Sequence, residues 1–358
     1  VIRTKVRGIY SEVNEIFKGT ATQDLLDKYK PVMKGLMTAR EMASITKERS
    51  RRNGTMELES NEPKFILNED GICIDVQPRQ TGESEQMIEQ LMVTANQAAA
   101  KLAEKEHLPF VYRVHENPKS LKIETLIELV SSLGLDFSGI KKENPSTAEF
   151  AAILDQAVGT PAQKIVSYQI LRTMEKARYA TDPLGHFGLA LADYCHYTSP
   201  IRRYPDTAIH RILTAFVNKK GRNYINEHYA TYAQDSATNS SEAEVKALVA
   251  ERSAEDCYMA EYMTQHIGEQ FDGIISGVTN RGLFVQLTNS VEGFVPIDTF
   301  VDSEFEFDGM MTQVDRLTGD KLTIGMPIRI QVVAADVSSG RIDFMPASEV
   351  GKIIKENK

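Results

Sequence analysis

The chain contains 358 residues, carries a formal net charge of −9 and is 42% hydrophobic. This length allows a sizeable hydrophobic core and predicts two domains. The sequence has no apolar run of about 18 residues, and the cations near its start are not followed by an apolar stretch. These features argue against a membrane span and a signal peptide, so we expect a cytoplasmic protein.

The cysteines indicate the same compartment. Cys73, Cys195 and Cys257 are widely separated and lack metal-ligand spacing. This pattern favours free thiols in a reducing environment over a disulfide framework or a zinc site.

Charge is distributed unevenly along the chain. Residues 1–52 are net basic, whereas the chain as a whole is acidic. Because phosphate binding depends on local potential rather than on the total, the net charge does not exclude a nucleic-acid partner. The chain also begins at Val1 directly before a helical pattern, so we expect it to be part of a longer protein.

Helical periodicity dominates the chain up to about residue 264. Apolar spacing predicts helices over residues 9–17, 36–51, 84–107, 206–218 and 240–266, with further helices within 119–178. Alternation predicts a hairpin over residues 64–78 with the four-residue loop Asn-Glu-Asp-Gly, and strands over 109–118 and 186–191.

After residue 266 the apolar period changes from 3.6 to 2. The alternating segments are FDGIISGV, GLFVQL, GFVPI, IRIQVVAADV and RIDFMPA, and Gly, Asn or Asp turns separate them. Five short strands of this kind predict a small Greek-key barrel, and we place the domain boundary near residue 264.

The segment HYTSPIRRYPD contains a paired-arginine turn. Ser199 and the proline after it predict an extended backbone, and Arg202 and Arg203 then lead into a helix whose first turn holds Asp206. Guanidinium groups bind two phosphate oxygens at once, which makes this turn a candidate phosphate site. The alternative is structural, with both arginines paired to acids such as Asp193 and Asp206.

The surrounding segment HFGLALADYCHYTSPIRRYPDTAIHRIL resembles the ribonuclease II and ribonuclease R family of processive 3'-to-5' exoribonucleases. RGIYSEVNEIFKG, MIEQLMVTANQAAA and PFVYRVHENP extend the resemblance, and residues 268–346 resemble an S1 RNA-binding barrel. The resemblance implies an α+β fold with three parts: the helix-rich C-terminal portion of an RNB-type nuclease domain over 1–264, a five-stranded OB-fold (S1) barrel over 265–347, and a Lys-rich tail over 348–358.

The resemblance also implies a function. In this family a narrow channel admits single-stranded RNA, and magnesium-dependent hydrolysis releases nucleoside monophosphates. Arg202 matches the arginine that grips the phosphate at the cleavage site, Tyr10 matches a tyrosine that positions the terminal nucleotide, and Glu89 matches an acid near the RNA end. A second acid usual in the family is Gln90 in this chain.

Further residues are expected to contact RNA. Arg203, Tyr204 and Ser199 belong to the arginine turn, and His115 and Asn117 are candidates for the channel wall. Two alternatives remain open, because Tyr10 is equally compatible with a core position and His115 with a buried histidine whose hydrogen bonds are satisfied.

In the barrel, Phe271, Phe284 and Phe294 match the aromatics on which S1 domains stack bases, and Arg281 adds a cation. Pro296 replaces the histidine usual in the family, and Phe294 is also compatible with a core position.

The chain is not expected to hold the metal. The family's aspartate-rich segment, which binds Mg²⁺, lies upstream of the helix that begins this chain, so its ligands are not in this chain. The acidic run DSEFEFD, residues 302–308, alternates at period 2 and is interpreted as a solvated face. We therefore expect a ribonuclease R-type portion that binds single-stranded RNA, acts as a monomer and is inactive alone. The alternatives are a non-catalytic RNA-binding module and an interaction scaffold.

Overall fold

A computed structural model describes residues 3–56, 62–160, 162–309 and 311–347. The chain forms two compact units. Of the described residues, the first unit comprises 3–56, 80–156 and 170–244, and the second comprises 62–79, 157–160, 162–169, 245–309 and 311–347. The predicted tail over 348–358 lies outside the described residues.

The helices follow the predicted periodicity with shifted ends. In chain order they are α1 Tyr10–Lys18, α2 Gln23–Tyr29, α3 Met33–Arg52, α4 Glu83–Glu106, α5 Ser120–Ser132, α6 Thr147–Ala157, α7 Gln163–Thr173, α8 Tyr204–Val217 and α9 Arg222–Thr264. The short helix α2 was not predicted, and α9 begins well before the predicted residue 240.

The strands are β1 Pro63–Leu67, β2 Cys73–Pro78, β3 Tyr112–Val114, β4 Arg178–Ala180, β5 Gln270–Thr279, β6 Gly282–Leu287, β7 Glu292–Pro296, β8 Phe305–Phe307, β9 Thr312–Asp315, β10 Lys321–Thr323, β11 Pro327–Asp336 and β12 Arg341–Pro346.

The main core of the first unit lies where α4, α8 and α9 enclose the two-stranded sheet of β3 and β4. Small side chains such as Ala99, Ala103 and Ala208 allow these elements to approach closely, and Phe110 and Ile212 fill the space between them. This packing places the segment before α8, which contains the paired arginines, against α4.

A second cluster holds α1 in place. Val13 and Phe17 of α1 pack with Tyr29 of α2 and Met87 of α4. The Tyr29 hydroxyl accepts a hydrogen bond from the Ile9 amide at 3.0 Å and therefore fixes the start of α1.

Two predicted strands differ from the structure. The strand predicted over 186–191 is wrong: Phe187–Leu189 form a 3₁₀ turn, and only isolated bridges at His186 and Leu191 pair with neighbouring backbone. The strand predicted over 109–118 shrinks to β3, because its ends bind loops rather than another strand. The His115 amide, for example, donates to the Gly185 carbonyl at 3.0 Å.

The hairpin of the second unit confirms the predicted pairing, with a longer loop. Leu67 pairs with Cys73, which leaves five residues in the turn instead of four. The Asn68 side chain accepts hydrogen bonds from the amides of Asp70 and Ile72 and so closes this turn.

The second unit contains the predicted barrel. Its strands close in the order β11-β12-β7-β6-β5, with β12 and β7 parallel and the other pairs antiparallel. Gly293 of β7 faces the Phe344 ring so closely that no side chain would fit there, and both residues lie inside the barrel. This arrangement confirms the α+β class and the five-stranded barrel.

A small sheet of β8, β9 and β10 is added to the barrel unit and was not predicted. It includes part of the acidic run 302–308. Within that run Glu306 is bound to Arg316 at 2.7 Å, and Asp308 accepts the amides of Met311 and Thr312.

In the part of the chain that the structure describes, no helix combines the length and apolar character needed to cross a membrane.

Candidate functional site

The two adjacent arginines have different environments. Arg203 binds Asp206 through two hydrogen bonds of 2.9 Å, and the Asp206 carboxylate is fully buried. The same carboxylate accepts the Ser199 amide at 2.6 Å. Asp206 therefore closes the turn from both sides, and Arg203 neutralises its charge.

Arg202 points into solvent. Its backbone amide donates to the Ser199 carbonyl at 3.2 Å, whereas its guanidinium makes no hydrogen bond or ion pair with any residue that the structure describes. The neighbouring Ile201 is fully exposed. The turn thus presents one free guanidinium on a backbone that the Arg203–Asp206 pair holds rigid.

Asn96 of α4 anchors the segment that precedes the turn. Its side-chain oxygen accepts the Tyr197 amide at 2.8 Å, and its amide nitrogen donates to the Tyr194 hydroxyl at 3.2 Å. The Cys195 thiol also donates to the Asn96 carbonyl. Sequence analysis missed this residue. The only signal was a polar side chain within the apolar face of α4.

His210 of α8 holds the same segment through Tyr197. Their rings stack at 4.4 Å between centroids, and the His210 Nε2 donates to the Tyr197 carbonyl at 2.9 Å. The backbone leading to the turn is therefore held by α4 on one side and α8 on the other.

A row of buried aromatic rings adjoins the segment before the turn, and His115 is the member of this row that sequence analysis named. His196 bonds the Tyr179 hydroxyl at 2.9 Å through Nδ1, and His186 contacts Tyr194 edge to face. Burial lowers the pKa of His196 to about 2 and that of His186 to about 3, and the cations nearby, including Arg113, add to the effect. These imidazoles are neutral in the folded chain.

His115 belongs to this row and is half-buried. Its Nδ1 accepts the Gly188 amide at 3.1 Å, its ring lies 5.1 Å from that of His186, and burial lowers its pKa. Asn117, two residues further, is exposed. A role in the channel wall stays a prediction for both.

Tyr10 lies at the start of α1, and the residue is 49% exposed. Its carbonyl accepts the Ser84 hydroxyl at 3.1 Å, which ties this end of α1 to α4. Tyr10 lines a cleft of about 720 Å³ whose other residues include Lys5, Arg7 and Lys28. The ring is thus accessible in a basic surrounding.

Glu89 is exposed on α4 and makes no described hydrogen bond or ion pair. Glu85, Glu89 and Asn96 are spaced by four and seven residues, so they share one face of the helix. Glu85 accepts the Asn14 amide of α1 at 2.9 Å, while Asn96 binds the segment before the arginine turn. Glu89 therefore lies between the contacts of α4 with α1 and with the turn.

Two further candidates belong to the turn. The Ser199 backbone makes the hydrogen bonds described above, so its contribution to the fold comes from the main chain. Tyr204 is 52% exposed, and its hydroxyl lies 3.2 Å from that of Tyr232.

The barrel candidates separate into two groups. Phe284 and Phe294 are directly paired across β6 and β7, and both face outward. Their ring centroids lie 5.2 Å apart, and Phe284 is 38% exposed. Phe271 shares the inward parity of its strand, and its ring contacts His266. The outer face thus presents an aromatic pair, and Arg281 is exposed in the turn that leads into β6.

No group of three or more His, Cys, Asp or Glu side chains among residues 3–56, 62–160, 162–309 and 311–347 is arranged to hold a metal ion. The residues described do not fit the Mg²⁺ centre that the resemblance implies.

Comparison with known proteins identifies two domain families in this chain. The RNB domain family matches residues 1–219, and the S1 RNA binding domain family matches residues 264–345. The chain therefore belongs to the class of proteins in which a helical RNB-type segment is followed by an S1 barrel. The chain belongs to the RNB family, which includes ribonuclease II and ribonuclease R.

The relatives carry the name ribonuclease R. Ribonuclease R 1 of Lactococcus lactis subsp. lactis is 34% identical over 345 residues, which cover 96% of this chain and 42% of the relative. Ribonuclease R of Thermotoga maritima is 33% identical over 355 residues, which cover 98% of this chain and 49% of the relative. The chain thus spans about half the length of the curated relatives it matches.

A solved structure has the same fold. The apo form of Mycoplasma genitalium RNase R superposes with a TM-score of 0.87 at 27% identity, covering 94% of this chain and 52% of that protein. That protein was also solved in complex with ribose methylated single-stranded RNA, with the same TM-score, identity and coverage.

Proposed function

We propose that the protein containing this chain is a processive 3'-to-5' exoribonuclease of the ribonuclease R type that hydrolyses single-stranded RNA to nucleoside monophosphates. The observation that carries the proposal is the free Arg202 guanidinium on a braced turn, in a chain that belongs to the RNB family. The complex of Mycoplasma genitalium RNase R with single-stranded RNA supports the substrate class.

Arg202 has the role of stabilising charge on the phosphate that is cleaved. A guanidinium that makes no hydrogen bond within the protein can direct its planar fork at two phosphate oxygens. Because Asp206 and Asn96 hold the backbone, little reorganisation is needed when negative charge develops. Arg203 supports this geometry from behind and binds RNA only weakly, since Asp206 occupies its fork.

Tyr10 and Glu89 have the role of positioning the terminal nucleotide. The Tyr10 ring is accessible for stacking in a basic cleft, and Glu89 is free to accept hydrogen bonds from a ribose or a base. Tyr204, Ser199, His115 and Asn117 are proposed as secondary contacts along the RNA.

Mg²⁺ would supply the activated water and neutralise phosphate charge. Since the described residues do not fit that ion, the proposed role of this chain is limited to binding, orienting and stabilising the phosphate. We propose that the isolated 358-residue chain binds RNA without hydrolysing it.

The barrel is proposed to begin near residue 265 and to hold single-stranded RNA by base stacking on Phe284 and Phe294, with Arg281 at a phosphate. Phe271 is a weaker candidate, because its ring already contacts the His266 ring edge to face.

The test is a product analysis. The natural protein that contains this chain is incubated with 5'-labelled single-stranded RNA and Mg²⁺. We expect stepwise shortening from the 3' end and release of nucleoside 5'-monophosphates. Internal cuts, or shortening from the 5' end, would contradict the proposal. Tight binding without cleavage would identify a non-catalytic RNA-binding module.

A further inference from the structure

A second basic cleft lies on the first unit, on the outer side of α8 and α9. Its volume is about 370 Å³, and its lining includes Arg211, Asn218, Lys220 and Tyr224. None of the residues that line it is acidic. The lining therefore carries two positive formal charges in a chain whose net charge is −9.

The two cations of this cleft have no carboxylate partner among the described residues. Arg211 reaches only the Tyr232 hydroxyl, at 3.3 Å, and Lys220 lies 5.3 Å from the centroid of the Tyr224 ring. Arg222, two residues further along, is instead paired with Glu106 at 3.6 Å. Cations that converge on a concave surface and lack an internal counter-charge favour an anionic ligand.

Tyr224 supplies a flat surface next to these cations. Its ring is 39% exposed and stacks on His228 with 3.8 Å between centroids. The His228 Nδ1 donates to the Tyr224 carbonyl at 2.8 Å, which fixes the imidazole beneath the phenol ring. The Lys220 Nζ lies over this ring, 5.3 Å from its centroid. A nucleobase that takes the place of the ammonium would stack on the ring, and Lys220 would then be free to bind a phosphate.

The cleft is connected to the arginine turn by a chain of hydroxyl groups. The Tyr204 hydroxyl contacts the Tyr232 hydroxyl, which in turn accepts a hydrogen bond from Arg211. Tyr204 and Arg211 are seven residues apart on α8, which places them on one face about 10 Å apart along the axis. A strand that leaves the turn along this face would reach the cleft.

We propose that this cleft binds one nucleotide unit of single-stranded RNA, with a phosphate between Arg211 and Lys220 and a base on Tyr224. The nucleotide chemistry follows from the cleft itself. The choice of RNA as its source rests on the proposed function.

The experiment measures the affinity of the full chain for a fluorescent single-stranded RNA by anisotropy at several salt concentrations. Arg211→Gln and Lys220→Gln should each weaken binding severalfold, and the double variant should lower the salt slope by about 0.7, the value for one phosphate contact on a single strand. Tyr224→Ala should weaken binding at least about fivefold, whereas Tyr224→Phe should bind like the wild type because it retains the ring.

Lys105→Gln serves as the charge control, because Lys105 is exposed on α4 and does not line the cleft. A direct readout comes from RNA that contains 4-thiouridine. After irradiation, the cross-linked peptide should include Tyr224, and Tyr224→Ala should remove that cross-link.

Arg202→Ala, AMP and inorganic phosphate separate the possible outcomes. If Arg202→Ala weakens RNA binding while the cleft variants do not and no cross-link forms at Tyr224, the cleft proposal is overturned and the proposed function stands. If the cleft variants weaken binding of AMP or phosphate but not of RNA, a small anion is the ligand and RNA is excluded as the source. If the chain binds no RNA at all, both proposals fail.

Discussion

Arg203 and Asp206 are joined by two parallel guanidinium-to-carboxylate hydrogen bonds of 2.9 Å, and the carboxylate has no contact with solvent. The adjacent Arg202 has no such partner among the described residues. One arginine of the pair therefore serves the fold, and its neighbour is free for a ligand.

This division predicts that the two arginines differ in their contribution to stability. Arg203→Ala leaves a buried carboxylate without its counter-charge and should lower the free energy of unfolding by about 3 kcal/mol or more. Arg202→Ala should change it by less than about 0.5 kcal/mol, because the side chain is exposed. Urea unfolding of both variants measures the difference, and equal losses would contradict the division.

Arg202→Ala should also reduce turnover far more than affinity in the natural protein. A guanidinium that stabilises developing charge acts mainly in the transition state, so its loss should lower kcat by about 100-fold or more. Arg202→Lys is the matched control, since it keeps the charge but loses the fork. Single-turnover assays alongside equilibrium binding provide the measurement. A loss confined to binding would show that Arg202 only holds substrate.

The isolated chain should bind single-stranded RNA without releasing mononucleotides when Mg²⁺ is added. The residues described contain the proposed phosphate-binding turn but no group of three or more His, Cys, Asp or Glu arranged to hold a metal ion. Incubation with labelled RNA, followed by separation of the products, checks this. Mononucleotide release that persists through repurification would disprove it.

Phe284→Ala should weaken binding of the full chain to poly(A), poly(U) and poly(C) by similar factors. Stacking contributes about 1–3 kcal/mol per base and tolerates any sequence. Phe271→Ala should have a smaller effect, since that ring contacts His266 and follows the inward parity of its strand. Phe284→Tyr, which retains an aromatic ring, is the control. Unchanged binding of Phe284→Ala would place the RNA elsewhere.

Stability should fall as the pH drops below about 6.5. Burial lowers the pKa of His186 to about 3 and that of His196 to about 2, whereas a histidine in the unfolded chain has a pKa of about 6.5. Below that pH the unfolded chain takes up protons that the folded chain does not, so each imidazole removes up to about 1.4 kcal/mol per pH unit from the free energy of unfolding.

His196→Gln should therefore reduce this slope between pH 5 and 6.5, and its curve should run parallel to that of the wild type above about pH 7.5. Urea unfolding at a series of pH values provides both curves. Identical slopes in the acid range would show that His196 takes up a proton in the folded chain.

Local patterns predicted the elements in which buried residues recur at a regular spacing along the chain. The alternation in GLFVQL and RIDFMPA corresponds to β6 and β12, because each strand buries one face inside the barrel. The pattern failed for HFGLAL. There His186 forms isolated bridges with His115 and Leu191, and Phe187–Leu189 form a 3₁₀ turn. No local period distinguishes that turn from a strand.

The resemblance and the residue types predict a phosphate site at the arginine pair, but they could not separate the two arginines. That distinction arises from the fold, since α8 buries Asp206 within reach of Arg203 and leaves Arg202 in solvent. The same holds for Asn96, whose partners Tyr194 and Tyr197 are about a hundred residues away in the chain. Hydrogen bonds between distant segments depend on how helices pack, and short-range sequence patterns contain no record of that packing.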